Sequence, residues 1–186
     1  MFAWDVRLSE IGSQIAVARN GLTNQINQGL SKTYSQIAKH KSTADLQYAS
    51  QFPVASYASR MLHKLQTSVS LDLERGFTGS GPHREDFNLL LNTQPASLSA
   101  SRGETRSLLL ALKIFELELI EDSRGQKPIF LLDDVFSELD GSRRKALVAR
   151  LKNHQTIITT TDAEAVLEYF SGKHNLIPLN LRQTKR

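Results

Sequence analysis

The chain has 186 residues, a formal net charge of +4 and no cysteine. That length suffices for one good hydrophobic core or two small ones, and the lack of cysteine excludes disulfides and thiolate metal sites, in keeping with a reducing cytosol. No apolar run approaches a membrane span and the first residues lack a basic-then-apolar leader, so a soluble, cytoplasmic protein with no membrane partner is expected.

The charge is unevenly spread. Residues 1–70 hold seven Lys and Arg against three acids, whereas residues 71–186 are balanced at 16 each. A basic first segment could lie along a phosphate backbone; a solvated helix face that lacks acids explains it equally well. Within that segment Trp4, Leu8, Ile11, Ile15, Ala18 and Leu22 follow spacings that describe a coiled-coil seam. Ile26 and Leu30 continue it, with Gly21 and Gly29 as interruptions, each about 1 kcal/mol worse than Ala in a helix. A helix of this kind needs a facing helix, and none of matching length precedes it, as if the chain began in the middle of a larger arrangement.

Leu46–Phe52 alternates and reads as a short strand stopped by Pro53. A second helix is expected over Ser56–Arg75, apolar along Met61, Leu62, Leu65, Val69 and Leu73, with Gly76 as its C-terminal cap. No internal repeat or low-complexity linker is present. The expected division is a helical arm over residues 1–76 and an α/β domain over 77–186.

Phe77–Ser80 and Phe87–Asn92 read as strands on either side of Gly81-Pro82-His83-Arg84-Glu85-Asp86. His83 and Arg84 could meet a phosphate or a base, but spacing favours a tight turn in which Arg84 pairs with Glu85 or Asp86. Ser101-Arg102-Gly103-Glu104 then opens a long helix with Leu108, Leu112, Phe115 and Leu119 on one face. Its first turn offers unpaired N–H groups and the positive dipole end, a ready anion site. Gly103 permits close backbone approach and Ser101 adds a hydroxyl; ordinary serine capping is the alternative.

Ile129-Phe130-Leu131-Leu132 reads as a strand apolar on both faces, as in a parallel sheet. Asp133 and Asp134 follow at its carboxyl end, where open α/β sheets place ligands. Two adjacent carboxylates call for a positive partner, and Mg2+ on nucleotide phosphates is the usual one, because it takes few protein carboxylates. An acidic turn after a core strand is the plain alternative. A basic helix carrying Arg143, Arg144, Lys145, Arg150 and Lys152 comes next, by default a solvated face. Gln155–Asp162 is the following strand and its exit, and His154 before it is a surface residue.

Ser137-Glu138-Leu139-Asp140 after the two acids resembles the D-loop that follows the Walker B strand of ABC-type ATPases, and Ser101–Glu104 resembles their signature motif. Gly81–Asp86 resembles the GPHR-D segment of the RecF family of bacterial recombination-repair ATPases. With Trp4-Asp5 opening a helix, the resemblance covers essentially the whole chain and is to the C-terminal half of RecF. The fold it implies is α/β, the C-terminal lobe of an ABC-type ATPase head with a mainly parallel sheet and flanking helices, plus part of a helical arm or lid. It further implies ATP and Mg2+ as cofactors and a homodimer with nucleotide at its interface. Asp133 would act on magnesium, and Asp134 would orient the attacking water. Ser101, Arg102, Gly103, Glu104, Ser137, Asp140 and Thr161 would lie near nucleotide. Single- and double-stranded DNA, RecR and RecO are the implied partners, and DNA repair, recombination, replication and the SOS response the implied setting. Glu104 departs from the Gln that is frequent in the family, although the related SMC proteins use Glu. The larger departure is that no G-x-x-x-x-G-K-[ST] occurs. The P-loop of RecF lies in its N-terminal half, so either a truncated product or a separate N-terminal chain is expected, with ATPase activity only in its company. A non-catalytic DNA- or partner-binding module, and an unrelated α/β protein with an acidic strand end, are the other readings.

Overall fold

Small residues decide how the first helix packs. α1 (Phe2–Asn27) buries Ser9, Gly12, Ala16, Thr23 and Ile26, a face beside the apolar seam. A Cβ on Gly12 would stand 2.8 Å from the Met61 sulfur and 3.3 Å from the Tyr57 ring, so only glycine lets α3 (Tyr57–Thr67) approach so closely. The two buried hydroxyls turn back on their own helix, Ser9 to the Val6 carbonyl and Thr23 to that of Asn20, both at 2.8 Å. Trp4, Leu8, Ile11, Ile15 and Leu22 remain exposed, Trp4 at 74%. The seam therefore presents apolar surface.

The computed structural model describes residues 2–170 and 174–179; the other residues of the expected 77–186 domain lie outside the described ones. The architecture is mixed α/β. The chain divides into two compact units between Pro128 and Ile129, and Gly76 ends α4 (Val69–Arg75) in the left-handed conformation that its capping role requires. None of the described helices is long and apolar enough to cross a membrane.

In the first unit α1 passes over Gln28 and Gly29 into α2 (Leu30–Ala38). Gly21 is accommodated within α1, and the break falls at Gly29, where a Cβ would lie 2.6 Å from the Phe115 ring. That glycine lets α2 pack on α6 (Arg102–Arg124). β1 (Ala44–Ala49) pairs antiparallel with β2 (Asp86–Leu91), from Ala44↔Leu91 to Ala49↔Asp86. β2 turns through Asn92 and Thr93, both at positive φ, into the short β3 (Gln94–Pro95). The Asn27 amide donates to the Leu46 carbonyl at 2.9 Å and accepts from its N–H at 2.8 Å. Ser31 Oγ exchanges the same pair of bonds with Ala44, both at 2.9 Å. Two residues on the free edge of β1, Ala44 and Leu46, are thereby satisfied.

Three local expectations change in this unit. The helix expected over 56–75 is broken at Ser68 into α3 and α4, and Leu73 is 67% exposed. Phe77–Ser80 is irregular, not a strand. α6 buries Ser107, Leu108, Leu110, Ala111, Ile114 and Leu117, a face rotated from the expected one while keeping Leu108. The short α5 (Ala96–Ser99) leads into it.

The second unit holds β4 (Phe130–Asp133), a 3-10 turn over Val135–Glu138, α7 (Gly141–Leu151), β5 (Thr156–Thr159) and α8 (Ala163–Leu167). β4 and β5 pair in parallel, as expected of the acidic strand, with Leu131 opposite Ile157 and Asp133 opposite Thr159. Helix α7 makes the crossover that a parallel pair demands. β4 is not covered on both faces, however. Phe130 and Leu132 are buried, while Leu131 is 69% and its partner Ile157 54% exposed. Within the described residues only one face of the apolar run is covered.

Candidate functional site

The expected site residues fall in both units. In the first, Ser101 is the N-cap of α6, and its Oγ accepts from the Glu104 N–H at 3.3 Å. The Glu104 carboxylate accepts from the Ser101 N–H at 2.8 Å and from its hydroxyl at 2.7 Å. This reciprocal box stabilises the helix start by about 1 kcal/mol. It also directs the Ser101 proton toward Glu104, so that donation to an outside anion requires the hydroxyl to rotate. Arg102 is exposed and Gly103 half-buried. Ser107, fully buried one turn on, donates to the Gly103 carbonyl at 2.9 Å.

In the second unit the two acids stand where the alternation of the strand delivers them. Asp133 is the last residue of β4, and Asp134 follows at φ 50, ψ 21, left-handed. Aspartate tolerates that region better than most side chains because its short carboxylate can bond locally. The conformation takes the chain out of the strand at once and starts the turn in which Ser137 Oγ donates to the Asp134 carbonyl at 2.7 Å. Both carboxylates are exposed.

Thr159, which composition and spacing did not single out, is the residue that ties the acids down. Its hydroxyl donates to Asp133 Oδ1 in a short hydrogen bond. The Asp134 N–H reaches both the Thr159 carbonyl at 3.1 Å and its Oγ1 at 3.2 Å. The register that sets Asp133 opposite Thr159 brings these groups together across 26 residues. The only hint in the sequence is a threonine at the end of the next apolar strand.

Asp140 caps α7, accepting from the Arg143 N–H at 2.9 Å and pairing with its guanidinium. The Arg143 backbone donor, then its charge, hold the Asp140 carboxyl below the usual carboxylate range. The basic helix is thus partly engaged: Arg143 pairs with Asp140, and Arg144 Nε donates to the Phe136 carbonyl at 2.9 Å. Thr161 is exposed beyond β5, where Asp162 caps α8. His154 is half-buried rather than on the surface.

Asp133 keeps one carboxylate oxygen clear of its threonine partner, and among the described residues no cluster of three or more His, Cys, Asp or Glu side chains could cage a metal. One or two hard oxygen donors, with phosphate and water completing the shell, fit magnesium, which dehydrates reluctantly.

The segment around Arg84 departs from expectation. Pro82–Arg84 is a tight 3-10 turn, as spacing indicated, yet Arg84 does not pair with Glu85. Glu85 turns inward. It accepts from the Tyr57 hydroxyl and the Gln51 N–H, both at 2.9 Å, and from Ser50 at 3.3 Å, and it forms a short hydrogen bond with the Tyr48 hydroxyl. Burial, then the carboxylate, push both phenols up.

No family model matches the chain. It is 34% identical over 169 residues to the DNA replication and repair protein RecF of Caldanaerobacter subterraneus subsp. tengcongensis, covering 88% of this chain and 46% of that protein. To RecF of Clostridium perfringens it is 32% identical, covering 89% and 46%. The structure of the recombination mediator protein RecF-ATP of the RecFOR pathway superposes with a TM-score of 0.74 at 32% identity, over 88% of this chain and 45% of that one. The chain spans about half the length of the curated relatives it matches.

Proposed function

The chain belongs to the RecF family, matching its C-terminal half, and on that premise we propose that it supplies half of an ATP-hydrolysing, DNA-binding machine of replication and recombinational repair. Ser101–Glu104 is the signature segment that meets the γ-phosphate held by an opposite subunit. Asp133 faces magnesium as the Walker B carboxylate, and Asp134 accepts a hydrogen bond from the attacking water and orients it. Ser137 and Asp140 belong to a D-loop at the seam of a homodimer. Magnesium, when bound, neutralises charge on the phosphate oxygens. The observation that carries this reading is the placement of Asp133 and Asp134 at the carboxyl end of a parallel strand, both tied to Thr159.

Phosphoryl transfer is chiefly positioning and electrostatic stabilisation, so the short side chain of Asp134 suits a slow switch better than a fast pump. The triphosphate cradle must come from elsewhere, because no P-loop occurs in this sequence. RecR, RecO and gapped DNA are the partners that the family's pathway implies.

Titration calorimetry on the chain alone should detect no ATP binding, since the acids repel triphosphate and no backbone cradle offsets them. Addition of a polypeptide carrying the P-loop half of a RecF protein should restore turnover. Micromolar ATP binding without that half would overturn the assignment of the site.

A further inference from the structure

Between Arg75 and Arg84 the chain has two glycines besides Gly76, an exposed phenylalanine and no carboxylate. Its shape is built in. Gly76 and Gly81 lie at φ 77 and 131, where other residues are strained. The loop is pinned by Gly81 N–H donating to Gln51 Oε1 at 3.1 Å and by Gly79 N–H donating to Asp72 Oδ1 at 3.0 Å. Met61 on α3 packs beneath, its methyl 3.1 Å from where a Cβ of Gly81 would sit.

On this frame sit flat and positive groups. Phe77 is 51% exposed, and the Arg84 guanidinium lies over its ring at 4.4 Å. Arg84 Nε donates weakly to the Thr78 carbonyl at 3.4 Å, which orients the fork while leaving its outer nitrogens toward solvent. Arg75 Nη1 lies 3.7 Å from the Cβ position of Gly79. His83 contacts Thr78 from the same loop. The neighbouring acids are engaged in hydrogen bonds: Asp72 at the loop itself with Gly79 and Ser68, Glu85 with the two tyrosines, and Asp86 with the Phe87 N–H. Glu74 on α4 is the nearby exception.

We propose that this loop is a contact surface for single-stranded nucleic acid, with Phe77 and the stacked Arg84 receiving an unpaired base and Arg75 and Arg84 receiving adjacent phosphates. The inference rests on the reading of the chain as part of a DNA-binding protein and names the element that touches the strand. A guanidinium held on an exposed ring offers charge and a π-face together, the pairing that sequence-tolerant single-strand binders use. Glycines beside it let a backbone approach. A duplex hides its base faces, so the exposed ring favours the unpaired strand.

The test is fluorescence anisotropy of the full 186-residue chain with a labelled oligothymidylate and with a hairpin duplex, across a salt series. Arg75→Ala and Arg84→Ala should each weaken single-strand binding and lower the salt slope by about 0.7. Phe77→Ala should weaken it roughly 5- to 100-fold with the slope unchanged, and Phe77→Trp should restore it. Lys145→Ala, in the other unit, serves as control, and circular dichroism verifies that each variant is folded. Wild-type binding indifferent to all three loop substitutions overturns the loop assignment alone. Duplex bound as tightly as single strand overturns the stacking role. No binding by the wild-type chain overturns both this inference and the DNA-binding reading beneath it.

Discussion

The Thr159 hydroxyl donates to the Asp133 carboxylate across the parallel pair, and the same oxygen accepts from the Asp134 N–H. One side chain therefore sets the orientation of the first acid and the exit angle of the second. Thr159→Val keeps the strand shape and removes the hydroxyl. Because the group is exposed, urea denaturation should register a change within about 1 kcal/mol. Reconstituted with a P-loop half, the variant should lose roughly 10- to 100-fold in turnover, as losses of supporting hydrogen bonds around metal ligands do. Undiminished turnover would remove Thr159 from the site.

Asp134 sits at φ 50, so the choice of substitution matters. Asn tolerates the left-handed region, and Asp134→Asn should fold normally, bind nucleotide in the reconstituted assembly and fail to hydrolyse it. Asp134→Val should in addition cost about 1–2 kcal/mol of stability from backbone strain. Thermal unfolding and single-turnover hydrolysis separate the two effects. Hydrolysis by the Asn variant at the wild-type rate would deny Asp134 its role.

The exposed seam of α1 should make the isolated chain self-associate. Trp4, Leu8, Ile11 and Ile15 form an apolar stripe of coiled-coil spacing, and exposed contiguous apolar surface seeks cover. Sedimentation velocity should show a concentration-dependent dimer or larger species. Leu8→Glu with Ile15→Glu should return the chain to monomer without unfolding it, since neither side chain is in the core. A monodisperse wild-type monomer would count against the seam.

Glu85 organises the junction of β1, α3 and the glycine-rich loop. Glu85→Gln replaces an acceptor of several hydrogen bonds with a half-donor facing the Tyr48 and Tyr57 hydroxyls, and should destabilise the chain by about 1–3 kcal/mol in urea titrations.

The same cluster predicts a pH dependence. Both tyrosines have folded-state values raised above 10.0, so above that pH the unfolded chain releases phenolic protons that the folded chain retains. The tyrosine contribution to stability is constant below the unfolded value and falls as pH rises through it. Tyr57→Phe, which removes one titrating phenol and its bond to Glu85, should start less stable at pH 8 and lose less between pH 9 and pH 11. Parallel stability curves for the two proteins over that range would contradict the linkage.

Signals that depend on a few neighbouring residues were legible from the sequence alone. The serine cap at Ser101, the cap at Gly76, the strand that delivers Asp133 and the apolar seam of α1 all answer to contacts within one or two turns of chain, although the reciprocal bond to Glu104 emerged only in the structure. What the sequence could not decide is which face each element buries and which distant group completes it. α1 packs through Gly12 and Ala16 rather than its larger side chains, because close approach to Met61 and Tyr57 rewards small residues there. β1 finds β2 some forty residues on, Glu85 turns from Arg84 to two tyrosines, and Thr159 reaches back to Asp133. Each of these is a long-range pairing, in which register and packing bring together groups that no local periodicity encodes; tertiary structure alone settles them.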